Sequence, residues 1–174
     1  MRKKWKTALF SSIVVLAFVG IILTFYLITL FTPNLNVKVS FISNGALGTV
    51  DSRIANASNG SPTSLFNFDY TETEPQTLDW VAKNMLFKGD NETITLEFNV
   101  NNMAHFKTVA NFSFESPHKN ANVSTMFNNV QTNISNVVLM PYSENKVSII
   151  IGKQNPKSPI RANLNLTITL TPQV

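Results

Sequence analysis

The chain has 174 residues, no cysteine and a net charge of +4, and four of its 14 basic residues fall within the first six positions. The remaining residues hold 10 basic and 10 acidic side chains, so they lack the basic surface that nucleic-acid binding requires. Because cysteine is absent, thiolate nucleophiles, iron–sulfur clusters and cysteine-ligated zinc are also excluded.

A basic head, residues 1–7, is followed by an apolar stretch, Ala8–Phe31, that contains neither a charged residue nor proline. As a helix rising about 1.5 Å per residue, these 24 residues would extend roughly 36 Å, which exceeds a hydrocarbon core of about 30 Å. Basic residues beside a first helix hold that side in the cytoplasm. We therefore predict a single-pass protein of the cell membrane: residues 1–7 are cytoplasmic, residues 8–31 form a transmembrane signal-anchor helix in contact with lipid, and residues 32–174 are extracytoplasmic.

A cleaved secretory signal is the alternative for this stretch. The apolar region of such a signal runs about 7–15 residues and ends at a small-x-small cleavage site. The apolar run of this chain is longer, and Ile28–Pro33 offers no such site. The sequence therefore favours an anchor that is retained.

The rest of the chain consists of short runs in which apolar and polar residues alternate, separated by turn signals such as Asn44-Gly45 and Pro141-Tyr142-Ser143. The clearest runs are Leu35–Phe41, Phe66–Tyr70, Ile94–Val100, Val123–Phe127, Val147–Ile151 and Ala162–Thr171. Eight or nine such strands at regular spacing predict one all-β domain, residues 32–174, folded as an immunoglobulin-like antiparallel sandwich.

One segment breaks this pattern. Leu78, Val81, Ala82 and Met85 follow i, i+3, i+4, i+7 spacing, and Pro75 lies just before them. This spacing predicts a short helix that crosses the end of the sandwich.

The residues that carry chemistry are sparse. A metal site built on the only histidines, His105 and His118, would need further ligands such as Met103 or Met126. No serine occupies a G-x-S-x-G pattern. Four carboxylates between residues 69 and 79 match no calcium-loop spacing. We therefore predict no catalytic, metal-binding or cofactor-binding residue and no enzymatic activity.

Asparagine occurs seven times as N-x-S/T without proline at the middle position, the acceptor pattern for N-glycosylation. The alternative is that these are ordinary polar residues of turns and strand faces. The candidate sites are Asn56, Asn59, Asn91, Asn111, Asn122, Asn133 and Asn165.

The layout resembles anchored β-sandwich proteins of archaeal cell surfaces, namely type IV pilins and the stator proteins of the archaellum. The shared features are a short basic head, one apolar helix, an Asn- and Thr-rich sandwich with sequons, and no cysteine. Pilins carry Lys or Arg followed by Gly or Ala before the helix, where the prepilin peptidase cuts. The junction Lys6-Thr7-Ala8-Leu9 departs from that pattern.

These features predict a membrane-anchored sandwich with a structural or protein-interaction role at the cell surface, whose partner is a surface layer, a filament or another membrane protein. In one alternative the chain is a filament subunit, and its apolar helix bundles with copies of itself. In another it is a non-catalytic subunit of a membrane complex, and Ser11, Ser12 and Gly20 let the helix pack closely against a partner.

Overall fold

The described residues form one helix followed by eleven strands. The computed structural model describes residues 2–31, 34–56, 63–87, 93–115, 121–153 and 161–173. The helix, α1, spans Arg2–Phe31. The chain divides into two compact units, Met1–Thr32 and Pro33–Val174, and the second holds all the strands.

The predicted membrane anchor is not supported. Within the described part of the chain, no helix has both the length and the hydropathy needed to cross a membrane. The predictions of a transmembrane helix and of a single-pass membrane location are therefore wrong on this finding.

The strands form two sheets. Sheet A has five strands in the order β4-β1-β11-β6-β9, and sheet B has six in the order β3-β2-β5-β10-β7-β8. The strand bounds are β1 Asn34–Ser43, β2 Gly48–Asn56, β3 Thr63–Asp69, β4 Gln76–Leu86, β5 Thr93–Asn102, β6 Lys107–Glu115, β7 Ala121–Phe127, β8 Val130–Gln131, β9 Val137–Leu139, β10 Ser143–Lys153 and β11 Arg161–Gln173.

The sandwich is not wholly antiparallel. β1 pairs in parallel with β11, from Asn34 opposite Arg161 to Ser43 opposite Leu170. All other strand pairs of the described residues are antiparallel. The prediction of an antiparallel sandwich is therefore wrong at the centre of sheet A. Alternation of side chains has the same period of two in both kinds of pair, so the sequence pattern carries no information on strand direction.

The core lies between the two sheets, and the alternation of the sequence builds it. In β1 the apolar residues Val37, Val39 and Phe41 are fully buried, while the residues between them are exposed or half-buried. β11 repeats the pattern, with Leu164, Leu166, Ile168 and Leu170 buried. Each fully buried side chain of this size contributes about 1.5–3 kcal/mol relative to an exposed one. The predicted strands Leu35–Phe41 and Ala162–Thr171 are confirmed.

The predicted short helix at residues 78–85 is wrong, because this segment is the edge strand β4. Leu78 and Trp80 lie opposite Phe41 and Val39 of β1 and pack against the core. The intervening residues Asp79, Val81 and Lys83 are exposed. Pairing with β1 therefore overrides the helical spacing. In a strand, where alternate residues share a face, Leu78 and Trp80 both pack against the core.

Candidate protein-interaction surface

The residues considered for metal chemistry form no ligand cluster where the structure describes them. His105 is exposed at the turn after β5, where its ring meets that of Phe106 with centroids 5.2 Å apart. Asp79 accepts a hydrogen bond from Ser40 Oγ at 2.7 Å and lies 3.8 Å from Lys38 Nζ. Among the described residues, no group of three or more histidine, cysteine or acidic side chains could hold a metal ion. His118 lies outside the described residues.

The glycosylation candidates are accessible wherever their side chains are described. Asn111, Asn122, Asn133 and Asn165 are all exposed on strands or turns of the sandwich. The backbone N–H of Ser135 donates to Asn133 Oδ1 at 2.9 Å, and Asn111 Nδ2 donates to Asn136 Oδ1 at 3.3 Å. Asn59, Asn91 and the side chain of Asn56 lie outside the described residues, and glycosylation stays a prediction.

Three large apolar side chains are exposed together at one end of the sandwich. We call Met103, Met140 and Tyr142 the Tyr142 surface; their exposed fractions are 54%, 53% and 74%. Met103 and Tyr142 line one shallow recess of about 360 Å³, together with Asn101, Asn102, Ser143 and Glu144. Single exposed apolar side chains are common, whereas a cluster beside polar groups is typical of a recognition surface.

Buried Asn102 holds the two turns that carry this surface. The side chain is 2% exposed, and its Nδ2 donates to the carbonyl oxygens of Phe106 at 2.9 Å and Met140 at 3.1 Å. Its Oδ1 accepts a hydrogen bond from the backbone N–H of Ala104 at 3.1 Å. One amide group at the end of β5 therefore fixes both the turn after β5 and the segment that leads from β9 to β10.

The turn at Tyr142 holds a strained backbone. Tyr142 has a φ of +50°, a region that residues with a bulky side chain rarely adopt. Its N–H donates to the carbonyl of Ala104 at 3.3 Å, and Ser143 Oγ donates to the carbonyl of Met140 at 2.6 Å. Such a conformation costs about 1–3 kcal/mol and is characteristic of functional sites. The turn predicted at Pro141-Tyr142-Ser143 is confirmed.

An ion cluster lies on the outer face of sheet B, where the carboxylate of Glu97 is buried and the side chains of Arg53 and Lys146 are partly exposed. Glu97 of β5 accepts hydrogen bonds from Arg53 Nε on β2 and is bridged by Lys146 Nζ on β10, both at 2.7 Å. Burial acts to raise the pKa of Glu97, but the hydrogen bonds and positive charges of Lys146 and Arg53 outweigh it and lower the pKa. Two cations pair with this carboxylate, so the cluster joins the three strands β2, β5 and β10.

Sequence reasoning did not find the Tyr142 surface. Met103 and Met140 are 37 positions apart, and the folding of β5 and β9 against their neighbours brings them to the same end. The available signal was local: each large apolar residue lies outside an alternating run and directly beside a turn.

Comparison with known proteins assigns the chain to no family. No protein-family model matches the chain, and no curated protein is similar to it. The resemblance to archaeal surface proteins therefore stays a prediction.

Proposed function

We propose that this chain is a non-catalytic protein-interaction module, and that its sandwich binds another protein through the Tyr142 surface. The observation that carries the proposal is Tyr142 itself, which is 74% exposed and held at a φ of +50°. The strained backbone costs about 1–3 kcal/mol, and contacts of the outward aromatic side chain with a partner would offset that cost.

The chemistry of the surface fits a protein partner. Tyrosine and methionine are enriched at interfaces, and tyrosine supplies a large contact area with few rotatable bonds. Asn102 has already ordered both turns, so binding has little further conformational entropy to remove. Asn101, Ser143 and Glu144 provide the polar rim beside the apolar centre.

A matched pair of variants tests the proposal. Tyr142→Ser removes the apolar centre, and Val130→Ser removes a side chain that is 65% exposed on β8. The full chain and both variants would be immobilised and exposed to an extract of the source cells. We expect a protein that is retained by the wild type and by Val130→Ser but lost with Tyr142→Ser. The same bound proteins on all three chains, with unchanged unfolding midpoints, would refute the assignment.

A second candidate is a subunit of a larger assembly, in which copies associate through sheet edges. It is favoured by β4, an 11-residue strand at the edge of sheet A whose described pairing is with β1 alone. Open edges of this length add strands from other chains. Sedimentation velocity at increasing protein concentration tests it: growth of the sedimenting species is expected, and a constant value would count against it.

A further inference from the structure

A shallow cup with two lysines and three asparagines lies on the outer face of sheet A, apart from the Tyr142 surface. Its volume is about 330 Å³, at the lower end of the roughly 300–1,000 Å³ of small-ligand sites. We call it the lysine–asparagine cup, and the side chains used in the argument are Asn36, Lys38, Val81, Lys83, Asn163 and Asn165.

The cup follows from the register of three neighbouring strands. The parallel pairing of β1 with β11 sets Asn36 opposite Asn163 and Lys38 opposite Asn165. The antiparallel pairing of β1 with β4 sets Lys38 opposite Val81. Lys83 lies two positions further along β4, where the pairing with β1 is irregular, and its side chain lines the same cup. Amides and ammonium groups therefore converge from three strands.

The amides are oriented within the cup. Asn36 Nδ2 donates to Asn163 Oδ1 at 3.0 Å across the strand pair. Because its oxygen is engaged in this bond, the exposed Asn163 side chain presents its Nδ2 donors to a ligand. Asn165 is exposed two residues further along β11 and adds a second amide.

The cup carries a local positive charge, although residues 7–174 are neutral overall, with 10 basic and 10 acidic side chains. Asp79 is the nearby carboxylate, and its Oδ2 lies 3.8 Å from Lys38 Nζ with both side chains about half or more exposed. Such a long surface pair is weak. The other Asp79 oxygen accepts from Ser40 Oγ at 2.7 Å. Lys83 therefore supplies a second ammonium group that this carboxylate does not neutralise.

These groups match one class of ligand. Amides pair with hydroxyl groups in both directions, ammonium groups pair with a carboxylate, and the 51% exposed Val81 offers an apolar contact for the C–H face of a sugar ring. We propose that the lysine–asparagine cup binds an acidic carbohydrate, a short oligosaccharide that contains uronic acid. The small volume limits contact to one or two sugar rings.

The test uses calorimetric titration of the full chain, produced in a bacterial host that attaches no sugar to Asn165. A polyoxyethylene detergent keeps the exposed apolar side chains of α1 dispersed and itself contains no sugar. The ligands are trigalacturonate, neutral maltotriose and sodium sulfate. We expect one-to-one binding of trigalacturonate and no measurable binding of the other two.

Variants distinguish a built site from diffuse attraction. Lys83→Gln and Asn163→Ala should each weaken trigalacturonate binding, the former about tenfold, as expected for a hydrogen bond to a charged group. Lys107→Gln, at an exposed lysine on β6 of the same sheet, is the matched control and should leave binding unchanged.

Three outcomes would overturn the proposal. The first is no heat of binding at millimolar trigalacturonate. The second is equal binding of sulfate, which would reduce the cup to a non-specific anion site. The third is equal weakening by Lys107→Gln and Lys83→Gln. Unfolding midpoints of all variants, measured in the same detergent, exclude misfolding as the cause of a loss.

Discussion

Gly48 lies where β2 pairs with β5 beside the buried ring of Tyr70, and this position has no room for a side chain. The residue lies opposite Asn102 at the start of β2, and its carbonyl accepts a hydrogen bond from Tyr70 N–H at 2.9 Å. A Cβ added at Gly48 would overlap the carbonyl oxygen of Asn101 and stand 2.5 Å from Tyr70 Oη. Tyr70 is 1% exposed, and its Oη donates to that same carbonyl at 2.8 Å. The substitution Gly48→Ala therefore forces backbone to move.

The expected cost of Gly48→Ala has two parts. Overpacking of a buried site costs about 1–3 kcal/mol, and loss of the hydrogen bond between Tyr70 Oη and Asn101 adds about 1–3 kcal/mol. The free energy of unfolding should fall by about 2–6 kcal/mol, which corresponds to a midpoint lower by roughly 4–24 °C in a domain of this size. Urea unfolding of the full chain, followed by circular dichroism, measures the difference.

Gly152→Ala is the control within the same chain. Its added Cβ would meet Thr93 Cγ2 at 3.4 Å, an ordinary contact, so the change in unfolding free energy should stay below about 1 kcal/mol. Equal effects of Gly48→Ala and Gly152→Ala would refute the steric reasoning.

Three further predictions concern Asn102, Glu97 and Tyr142. Asn102→Ala removes the hydrogen-bond donor of the partly buried carbonyls of Phe106 and Met140 and should cost about 2–4 kcal/mol in urea unfolding, whereas a cost under about 0.5 kcal/mol would contradict its role in holding the turns. The folded pKa of Glu97 is lowered, so its contribution is present above the unfolded pKa and is lost as the pH falls through the folded value. Glu97→Gln should therefore destabilise the chain at pH 7 and much less at the acidic end of a pH series of urea midpoints, and a constant difference would speak against the ion cluster. Tyr142→Gly should relieve the strain at φ +50° and raise the unfolding free energy by about 0.5–1 kcal/mol while abolishing partner binding, and a lower midpoint would show that the ring stabilises the fold.

The elements that pack on the core were the ones that sequence reasoning could predict. Leu35–Phe41 and Ala162–Thr171 alternate without interruption, because each strand buries one face against the opposite sheet. The prediction of a helix at the edge strand β4 was wrong for the complementary reason. Leu78 and Trp80 on its inner face are only partly buried, and apolar Val81 lies on the outer face, which creates a helical spacing by coincidence.

The direction of pairing and the surface features depend on the three-dimensional fold. Nothing in the alternation distinguishes a parallel β11 from an antiparallel one, and the lysine–asparagine cup exists only in the parallel register. The Tyr142 surface likewise depends on hydrogen bonds from one buried amide, which composition and spacing do not reveal. The sequence correctly predicted a helix for the apolar stretch in α1, but the structure does not support the predicted membrane span.

The central position of β11 has a consequence for how the protein is made. β11 lies between β1 and β6, and it is synthesised after every other described strand. Until Arg161–Gln173 has emerged from the ribosome, β4 and β1 have no link to β6 and β9 within sheet A. A nascent chain of this protein therefore holds unpaired strand edges in sheet A until Arg161–Gln173 has been synthesised and has emerged. Pairing across such a long sequence separation is slow and exposes intermediates to aggregation, so expression yield should depend strongly on the translation temperature and on chaperones.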